Sequence, residues 1–221
     1  MAQDLNGARE HYASTGVLQR IRAALGPDDR PLTVRELGAM DQFHTRGHAA
    51  TAELAELAGI GPADRVLDLG CGIGGPARLI AERCGCRVTG VDLNEGFVEA
   101  ARYLSLRTGQ QERVEFHGGS ALALDFIDAS FDIVLLQHVA MNIADRAGLY
   151  REIRRLLVPD GRFATYDAVR GVGEPRYSDP RCPRKASVAR RQAAEACYAR
   201  CSTCSASRTG AVECLSALKL A

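Results

Sequence analysis

The segment Val66-Leu67-Asp68-Leu69-Gly70-Cys71-Gly72-Ile73-Gly74-Gly75 decides the fold of this 221-residue chain. Its first four residues are typical of a short buried strand, its glycines form a turn, and a helical apolar pattern continues through Ala77 and Ile80. Glycine is required where φ is positive, or where a ligand contacts the main chain with no Cβ between them. The segment therefore predicts a strand, a ligand-binding turn and a helix.

Apolar strand patterns alternate with helical patterns after this turn. We expect strands at residues 88–91, 114–116, 131–136 and 162–169, and helices at 97–106 and 149–157. Strands that alternate with helices pair in parallel through right-handed crossovers. The predicted fold class is therefore α/β, with a doubly wound parallel sheet.

Three regions follow from these patterns. Residues 1–62 hold two predicted helices, one over 9–25 and one from Met40 to Leu57, which we interpret as an N-terminal helical lid. Residues 63–170 hold the alternating pattern. Residues 171–221 form an atypical tail, rich in Arg, Cys, Ser and Ala, in which we see no convincing strand pair. The sheet is thus expected to lack its C-terminal pair and to expose its fifth strand.

Composition favours an enzyme-sized cytoplasmic protein. The net charge is +1, from 28 basic and 27 acidic side chains, so no global field attracts nucleic acid. No apolar run reaches the roughly 18 residues that a membrane span needs, and Met1–Asp4 lack the features of a secretory signal. We therefore expect neither a nucleic acid nor a membrane as a partner.

Two carboxylates end neighbouring predicted strands. Asp68 stands two residues before Gly70, where it would repel a pyrophosphate but suit an ammonium group. Asp92 follows the second strand, where a carboxylate accepts both hydroxyls of a ribose. Either residue alone reads as a loop or capping residue. Together with the alternating glycines Gly70, Gly72 and Gly74 they describe S-adenosylmethionine better than a nicotinamide dinucleotide, whose pyrophosphate Asp68 would repel.

Four segments resemble the motifs of class I S-adenosylmethionine-dependent methyltransferases, in order and spacing. They are VLDLGCGIGGPARLI at 66–80, VTGVDLN at 88–94, SFDIVLLQHVAMNI at 130–143 and LLVPDGRFATYDAV at 156–169. GGPAR at 74–78 and DQFH at 41–44 resemble the small-molecule branch, which includes sarcosine/dimethylglycine, phosphoethanolamine, tocopherol and sterol methyltransferases. The resemblance implies a Rossmann-like fold and methyl transfer to an N, O or C nucleophile of a small molecule.

The resemblance also implies roles for individual residues. Asp68, Gly70 and Gly72 would hold the methionine part of the cofactor. Asp92 would hold its ribose, and Leu93 would contact the adenine. Cys71, Ser120, Ala121 and Gln137 complete the implied cofactor set. Ser120 stands where the family commonly has Asp, so the side chain expected to reach the adenine amino group is shorter and uncharged here.

His138 is the candidate catalytic residue. It follows a predicted strand at the edge where open α/β sheets bind ligands, and imidazole transfers protons near neutral pH. A base is needed only if the nucleophile arrives protonated, so His138 equally fits a role in shaping the pocket. For Asn142 we favour the N-cap of the next helix over a substrate contact.

Other side chains in the N-terminal region are weaker candidates. His44 and His48 would share a helical face at a spacing known from zinc sites. No third ligand stands out, so we expect no metal and interpret them as lid or surface residues. Tyr12 fits a lid or helix packing equally well. Cys71 is expected to be a small filler rather than a nucleophile.

The tail carries five of the eight cysteines, including Cys197, Cys201, Cys204 and Cys214. Their irregular spacing fits a four-cysteine zinc site poorly, and disulfides are improbable without export. We favour the hypothesis that the tail is translated out of the native frame. A truncated or inactive cofactor-binding pseudoenzyme is therefore the alternative to an active methyltransferase.

Overall fold

A sheet forms the centre of the computed structural model, which describes the backbone of residues 16–170, 205–206 and 211–219 and the side chains of 16–167. Its strand order is β3-β2-β1-β4-β5-β7-β6. The strands are β1 (Arg65–Leu69), β2 (Arg87–Asp92), β3 (Val114–Gly118), β4 (Phe131–Gln137), β5 (Leu157–Arg170), β6 (Ser205–Ala206) and β7 (Ala211–Lys219). The first five strands pair in parallel, which confirms the predicted Rossmann-like doubly wound sheet.

Helices cover both faces of the sheet because its central strands are apolar on both sides. Val66 packs in one core and Leu67 in the other, and Ile133 and Val134 divide in the same way on β4. This division follows from the two-residue period of a strand. The covering helices are α4 (Gly75–Cys84), α5 (Glu95–Arg107) and α6 (Arg146–Leu156).

The direction in which strands are added reverses between β1 and β4. The chain first builds outward from β1 to β2 and β3, and then returns to place β4 on the other side of β1. In open α/β sheets this switch opens a crevice beyond the carboxyl ends of the strands. The glycine turn after β1 therefore lies in the ligand-binding position of the fold.

The N-terminal region holds three described helices: α1 (Val17–Leu25), α2 (Val34–Asp41) and α3 (Gly47–Leu57). The prediction of one helix from Met40 to Leu57 is wrong, because the chain turns between α2 and α3. Arg46 and Gly47 both have positive φ, at 66° and 49°. A left-handed residue stops helical hydrogen bonding, so the apolar pattern belongs to two helices. Residues 9–15 of the other predicted helix lie outside the described residues.

A buried ion pair joins this helical region to the sheet domain. Arg78 of α4 donates to Asp41 at the end of α2, with 2.8 Å between Nη2 and Oδ2. Both side chains are fully buried. Arg78 also donates to the carbonyls of Ile73 and Ala101, at 2.9 and 3.3 Å. One side chain thus connects α2, the glycine turn and α5.

The expectation that the C-terminal strand pair is missing needs correction. β7 pairs antiparallel with β5 from Arg162–Lys219 to Arg170–Ala211, and β6 pairs antiparallel with β7. Strand pairing depends on backbone hydrogen bonds, which a weakly patterned sequence still provides. The edge of β5 is therefore covered. The remaining residues of the 171–221 tail, with Cys197, Cys201 and Cys204, lie outside the described residues.

Among the helices in the described part of the chain, none combines the length and apolarity that crossing a bilayer requires.

Removing one partner of the buried ion pair should destabilise the protein strongly. We expect Asp41→Asn to lower the free energy of unfolding by about 3–5 kcal/mol, because the guanidinium of Arg78 would stay buried without its counter-charge. Urea unfolding followed by circular dichroism measures the change. Glu53→Gln, which removes the exposed partner of Arg46, should cost less than about 1 kcal/mol. Equal costs for the two variants would contradict the role of the buried pair.

Candidate functional site

One cavity of about 1310 Å³ opens beyond the carboxyl ends of β1, β2 and β4. All ten residues proposed from the sequence line it, although the role of each stays a prediction. They are Asp68, Gly70, Cys71, Gly72, Asp92, Leu93, Ser120, Ala121, Gln137 and His138. Residues from the N-terminal helical region, Asp41, Phe43 and His44 among them, complete the wall.

The glycine turn is fastened to the neighbouring strand. The backbone N–H groups of Gly70 and Cys71 both donate to the carbonyl of Val91, at 2.7 and 3.0 Å. Gly70 has a φ of 75°, and a Cβ placed there would lie 2.2 Å from Cγ2 of Val139. Only glycine fits this position, so the turn brings its backbone to the cavity surface.

Asp92 is the second carboxylate of the cradle, which comprises Asp68, Asp92 and the glycine turn at residues 70–74. Its Oδ2 accepts from the N–H of Gly72 and its Oδ1 from the N–H of Asn94, both at 2.9 Å. Burial raises the pKa of this carboxyl, and the backbone hydrogen bonds oppose that rise. Each carboxylate oxygen keeps a further lone pair, so Asp92 can also accept hydroxyl groups of a ligand.

Asp68 is the most unusual group in the cavity. It lies inside β1 with 1% of its surface exposed, and its Oδ2 has no hydrogen-bond partner among the described residues. Burial, followed by the negative charge of Asp92, raises the pKa of Asp68 to about 7. A buried acceptor without a donor is costly, and a ligand ammonium group would supply both the donor and the charge.

The loop after β3 forms the far wall. The N–H of Gly119 donates to the carbonyl of Asp92 at 3.0 Å, which ties the start of the loop to β2. A tight turn follows, in which the N–H of Ala123 donates to the carbonyl of Ser120 at 3.0 Å. The Ser120 hydroxyl accepts from the N–H of Leu122 at 3.3 Å. Ser120 thus organises the wall that the resemblance assigns to adenine.

Gln137 is the last residue of β4 and lines the cavity. Its side chain is 6% exposed, and its Nε2 is buried without a partner among the described residues. Its Oε1 accepts from the hydroxyl of Thr51 at 3.1 Å, and Thr51 also lies 2.8 Å from Nε2 of His44. Gln137 therefore connects the end of the sheet to α3 and the preceding turn.

His138 follows β4 in a left-handed conformation, with a φ of 55°. Its backbone N–H donates to the carbonyl of Tyr166 at 2.7 Å. The ring centroid lies 4.9 Å from that of Tyr166 and 6.1 Å from that of His44. Positive φ is uncommon outside glycine and concentrates at functional sites. The backbone and two rings thus fix the direction of the imidazole at the cavity wall.

Two further expectations differ from the geometry. His44 precedes α3, so the expectation that it shares a helical face with His48 is wrong. Among the described residues no group of three or more His, Cys, Asp or Glu side chains could hold a metal ion, and the expectation of no metal stays a prediction. Asn142 does not cap the following helix. Asp145 does so, by accepting from the N–H of Gly148 at 2.7 Å. Tyr12 lies outside the described residues.

Cys71 is a buried free thiol whose pKa is raised well above its usual value, mainly by burial and then by the charge of Asp68. A protonated thiol is a poor nucleophile, which agrees with its interpretation as a filler.

The sequence reading missed the polar residues that organise the site from outside. Arg78 stands within the quoted motif, but a motif does not show that its side chain turns back to Asp41. Thr51 looks like an ordinary helical residue, and Glu152 and Arg155 look like solvated charges. The available signal in the sequence was an arginine among apolar residues of a predicted helix, since Arg78 is flanked by Ala77, Leu79 and Ile80.

Comparisons with known proteins agree with this geometry. Residues 67–165 match the family described as a methyltransferase domain. Sterol 24-C-methyltransferase of Eremothecium gossypii is 41% identical over 116 residues, which are 52% of this chain and 31% of that protein. Methyltransferase GfsG of Streptomyces halstedii is 33% identical over 131 residues, 59% of this chain and 47% of that protein. The chain thus spans about a third to a half of the length of these relatives.

Two solved structures share the fold. Phosphoethanolamine N-methyltransferase 2 of Haemonchus contortus has a TM-score of 0.53 at 30% identity, covering 59% of this chain and 30% of its own. Geranyl diphosphate C-methyltransferase of Streptomyces coelicolor has a TM-score of 0.54 at 25% identity, covering 57% of this chain and 48% of its own.

The raised pKa of Asp68 predicts a pH-dependent stability. In the folded protein this carboxyl keeps its proton up to about pH 7, whereas in the unfolded chain it ionises near pH 4. The folded state therefore binds the extra proton between these values, and the free energy of unfolding falls as pH rises through that window. Asp68→Asn removes this titrating group. The free energy of unfolding of the ligand-free variant, relative to the parent protein, should therefore be higher at pH 8 than at pH 5, by up to about 4 kcal/mol.

Urea unfolding of both proteins at the two pH values measures this effect. Asp28→Asn, in the exposed loop between α1 and α2, is the control for loss of a carboxylate. A stability difference between Asp68→Asn and the parent protein that is equal at pH 5 and pH 8 would refute the assignment.

Proposed function

We propose that this chain transfers the methyl group of S-adenosylmethionine to a small-molecule nucleophile, because residues 67–165 match the family described as a methyltransferase domain. The sterol, phosphoethanolamine and geranyl diphosphate enzymes among its relatives are named as methyltransferases. Solved structures of geranyl diphosphate methyltransferase contain S-adenosylmethionine or S-adenosylhomocysteine. These likenesses support the cofactor class, and the geometry of the cavity supports where the cofactor binds.

A single observation carries the proposal. Asp68 presents a buried carboxylate oxygen without a donor to a cavity in which Asp92, at the end of the neighbouring strand, faces the same glycine turn. An amino-acid ammonium group would satisfy Asp68, and ribose hydroxyls would satisfy Asp92. S-adenosylmethionine carries both groups, joined by the sulfonium.

The protein has to align the reacting groups more than activate them, since S-adenosylmethionine supplies a methyl group already activated on a sulfonium. Asp68 and Asp92 would hold the amino-acid and ribose parts of the cofactor, and the positive φ of Gly70 and Gly72 would let the backbone approach it closely. Such orientation can lower a barrier by roughly 7–11 kcal/mol. The cradle is therefore the main catalytic device proposed here.

His138 is the proposed base for a nucleophile that arrives protonated. It lies beyond β4 on the same cavity as Asp68, and its ring is held by Tyr166 and His44. In this role the imidazole accepts the proton that the N, O or C nucleophile loses during attack. Met141 and Phe43 also line the cavity, so the substrate would meet apolar side chains as well as the imidazole.

The proposal includes the setting in which the protein works. The described cysteines Cys71, Cys84 and Cys86 are all free thiols, which supports a reducing compartment such as the cytoplasm. We propose a small molecule as the partner, and neither a nucleic acid nor a membrane.

Calorimetry with S-adenosylhomocysteine tests the cofactor assignment. We expect the parent protein to bind, and Asp68→Asn to bind at least about tenfold more weakly, because a charge-assisted hydrogen bond to the ammonium group is lost. Affinity should rise between pH 6 and pH 8 as Asp68 loses its proton. No binding by the parent protein would overturn the proposed function.

Replacing the proposed base should separate chemistry from binding. We expect His138→Asn to reduce kcat by about 100-fold or more for an acceptor that must lose a proton. The Kd for S-adenosylhomocysteine should change less than about threefold, since no cofactor contact is assigned to the imidazole. Methyl transfer from labelled cofactor to a panel of amine, phenol and prenyl acceptors provides the assay. An unchanged kcat would leave His138 as a residue that only shapes the pocket.

A further inference from the structure

Helix α6 carries a Glu–Arg pair that faces the proposed cofactor cavity from outside the strand ends. Glu152 and Arg155 are three residues apart, and both line the cavity. Oε1 of Glu152 accepts from Nη2 of Arg155 at 2.7 Å, and Oε2 accepts from Nε at 2.9 Å. This two-point geometry fixes both side chains in one orientation.

The pair binds the main chain of the loop that follows β3. Oε1 of Glu152 accepts from the N–H of Leu124 at 2.8 Å, and Nη2 of Arg155 donates to the carbonyl of the same residue at 2.9 Å. Nη1 of Arg155 also donates to the carbonyl of Phe126 at 2.7 Å. Both backbone groups of Leu124 are thus held by side chains from α6.

The other end of this loop is held by β2, through the bond from Gly119 to the carbonyl of Asp92. The wall segment between these two anchors, residues 119–124, has neither helix nor strand structure beyond the isolated Ser120–Ala123 bridge. Its position therefore depends on the Asp92 carbonyl at one end and on the α6 pair at the other.

We propose that Glu152 and Arg155 are positioning residues that set the affinity of the site for the nucleoside part of its ligand. The inference rests on the proposed function, since it takes this wall to contact adenine. Ser120 is neutral and its hydroxyl already accepts from Leu122. Recognition by the wall therefore depends on where its backbone and the Ser120 hydroxyl are placed, and the pair holds one end of this segment through Leu124.

The electrostatics of the pair support this role. The hydrogen bond from Arg155 lowers the pKa of Glu152, so the carboxylate stays ionised and keeps its charge-assisted bonds at neutral pH. Asp128 is exposed, and its Oδ1 also accepts from Nη1 of Arg155 at 2.6 Å. The contact of α6 with this loop therefore extends beyond the residues that line the cavity.

Two ligands and three variants test the proposal on the 221-residue chain. S-adenosylhomocysteine contains the amino-acid and nucleoside parts, whereas 5′-methylthioadenosine lacks the amino-acid part. We expect Arg155→Lys to weaken both ligands by a similar factor, about 10-fold, because a lysine cannot bond Glu152, Leu124 and Phe126 together. Asp68→Asn should weaken only S-adenosylhomocysteine. Arg154→Lys, on the exposed side of α6, is the matched control and should leave both affinities within about twofold.

The kinetic constants provide the second measurement. For Arg155→Lys we expect the KM for S-adenosylmethionine to rise about 10-fold while kcat changes less than threefold, since the wall is taken to contact the adenine and not the sulfonium that carries the methyl group. Glu152→Gln, which can still accept from Leu124 but loses its charge, should fall between Arg155→Lys and the parent protein.

The outcomes separate the two proposals. If the parent protein binds neither ligand, the proposed function fails. If it binds both and Arg155→Lys binds them equally well, the positioning role is refuted while the proposed function stands. A lower melting temperature with unchanged Kd values would likewise refute it, because the pair would then serve stability alone.

Discussion

The ion pair between Arg78 and Asp41 is the interaction on which the site depends. It lies fully buried where α2, the glycine turn and α5 meet, and its guanidinium also holds the carbonyl of Ile73 inside the turn. A Cβ at Gly75 would lie only 2.2 Å from the carbonyl oxygen of Asp41. The glycine at this position and the ion pair therefore serve the same close approach, which seats the helical region on the sheet domain.

This pairing also decides the charge that the cavity presents. Since Asp41 neutralises Arg78, the buried guanidinium is not available to compensate Asp68. Asp68 and Asp92 then remain as two neighbouring carboxyls whose pKa values are both raised by burial. A site of this kind attracts a cation that also carries hydroxyl groups, and it disfavours a phosphate. The proposed preference for a sulfonium nucleoside over a dinucleotide thus has an electrostatic basis in these two carboxyls.

The sheet and the strand-end residues were predictable because their signals are local. A two-residue apolar period, glycines at a turn and carboxylates at strand ends each reflect one short segment. The turn between α2 and α3 was missed because apolar spacing continued across Arg46 and Gly47. β6 and β7 were missed because the pairing of β7 with β5 and of β6 with β7 uses backbone bonds, which leave little trace in composition. The contact of Arg78 with Asp41 was missed because the two residues are distant in sequence. The role of Glu152 and Arg155 was missed because the backbone groups that they bind, at Leu124 and Phe126, lie in a different segment of the chain.

The residues that line the cavity come from two parts of the chain, and this has a consequence for the design of new substrate specificities. Strand ends supply the carboxylates assigned to the cofactor, whereas the helical region supplies Phe43, which is 67% exposed, and His44 to the lining of the same cavity. Under the proposed function, exchanging this N-terminal segment between relatives would change the surface that meets the acceptor while keeping the carboxylates of the strands. The incoming segment would need a carboxylate at the place of Asp41, because Arg78 would otherwise stay buried without its counter-charge.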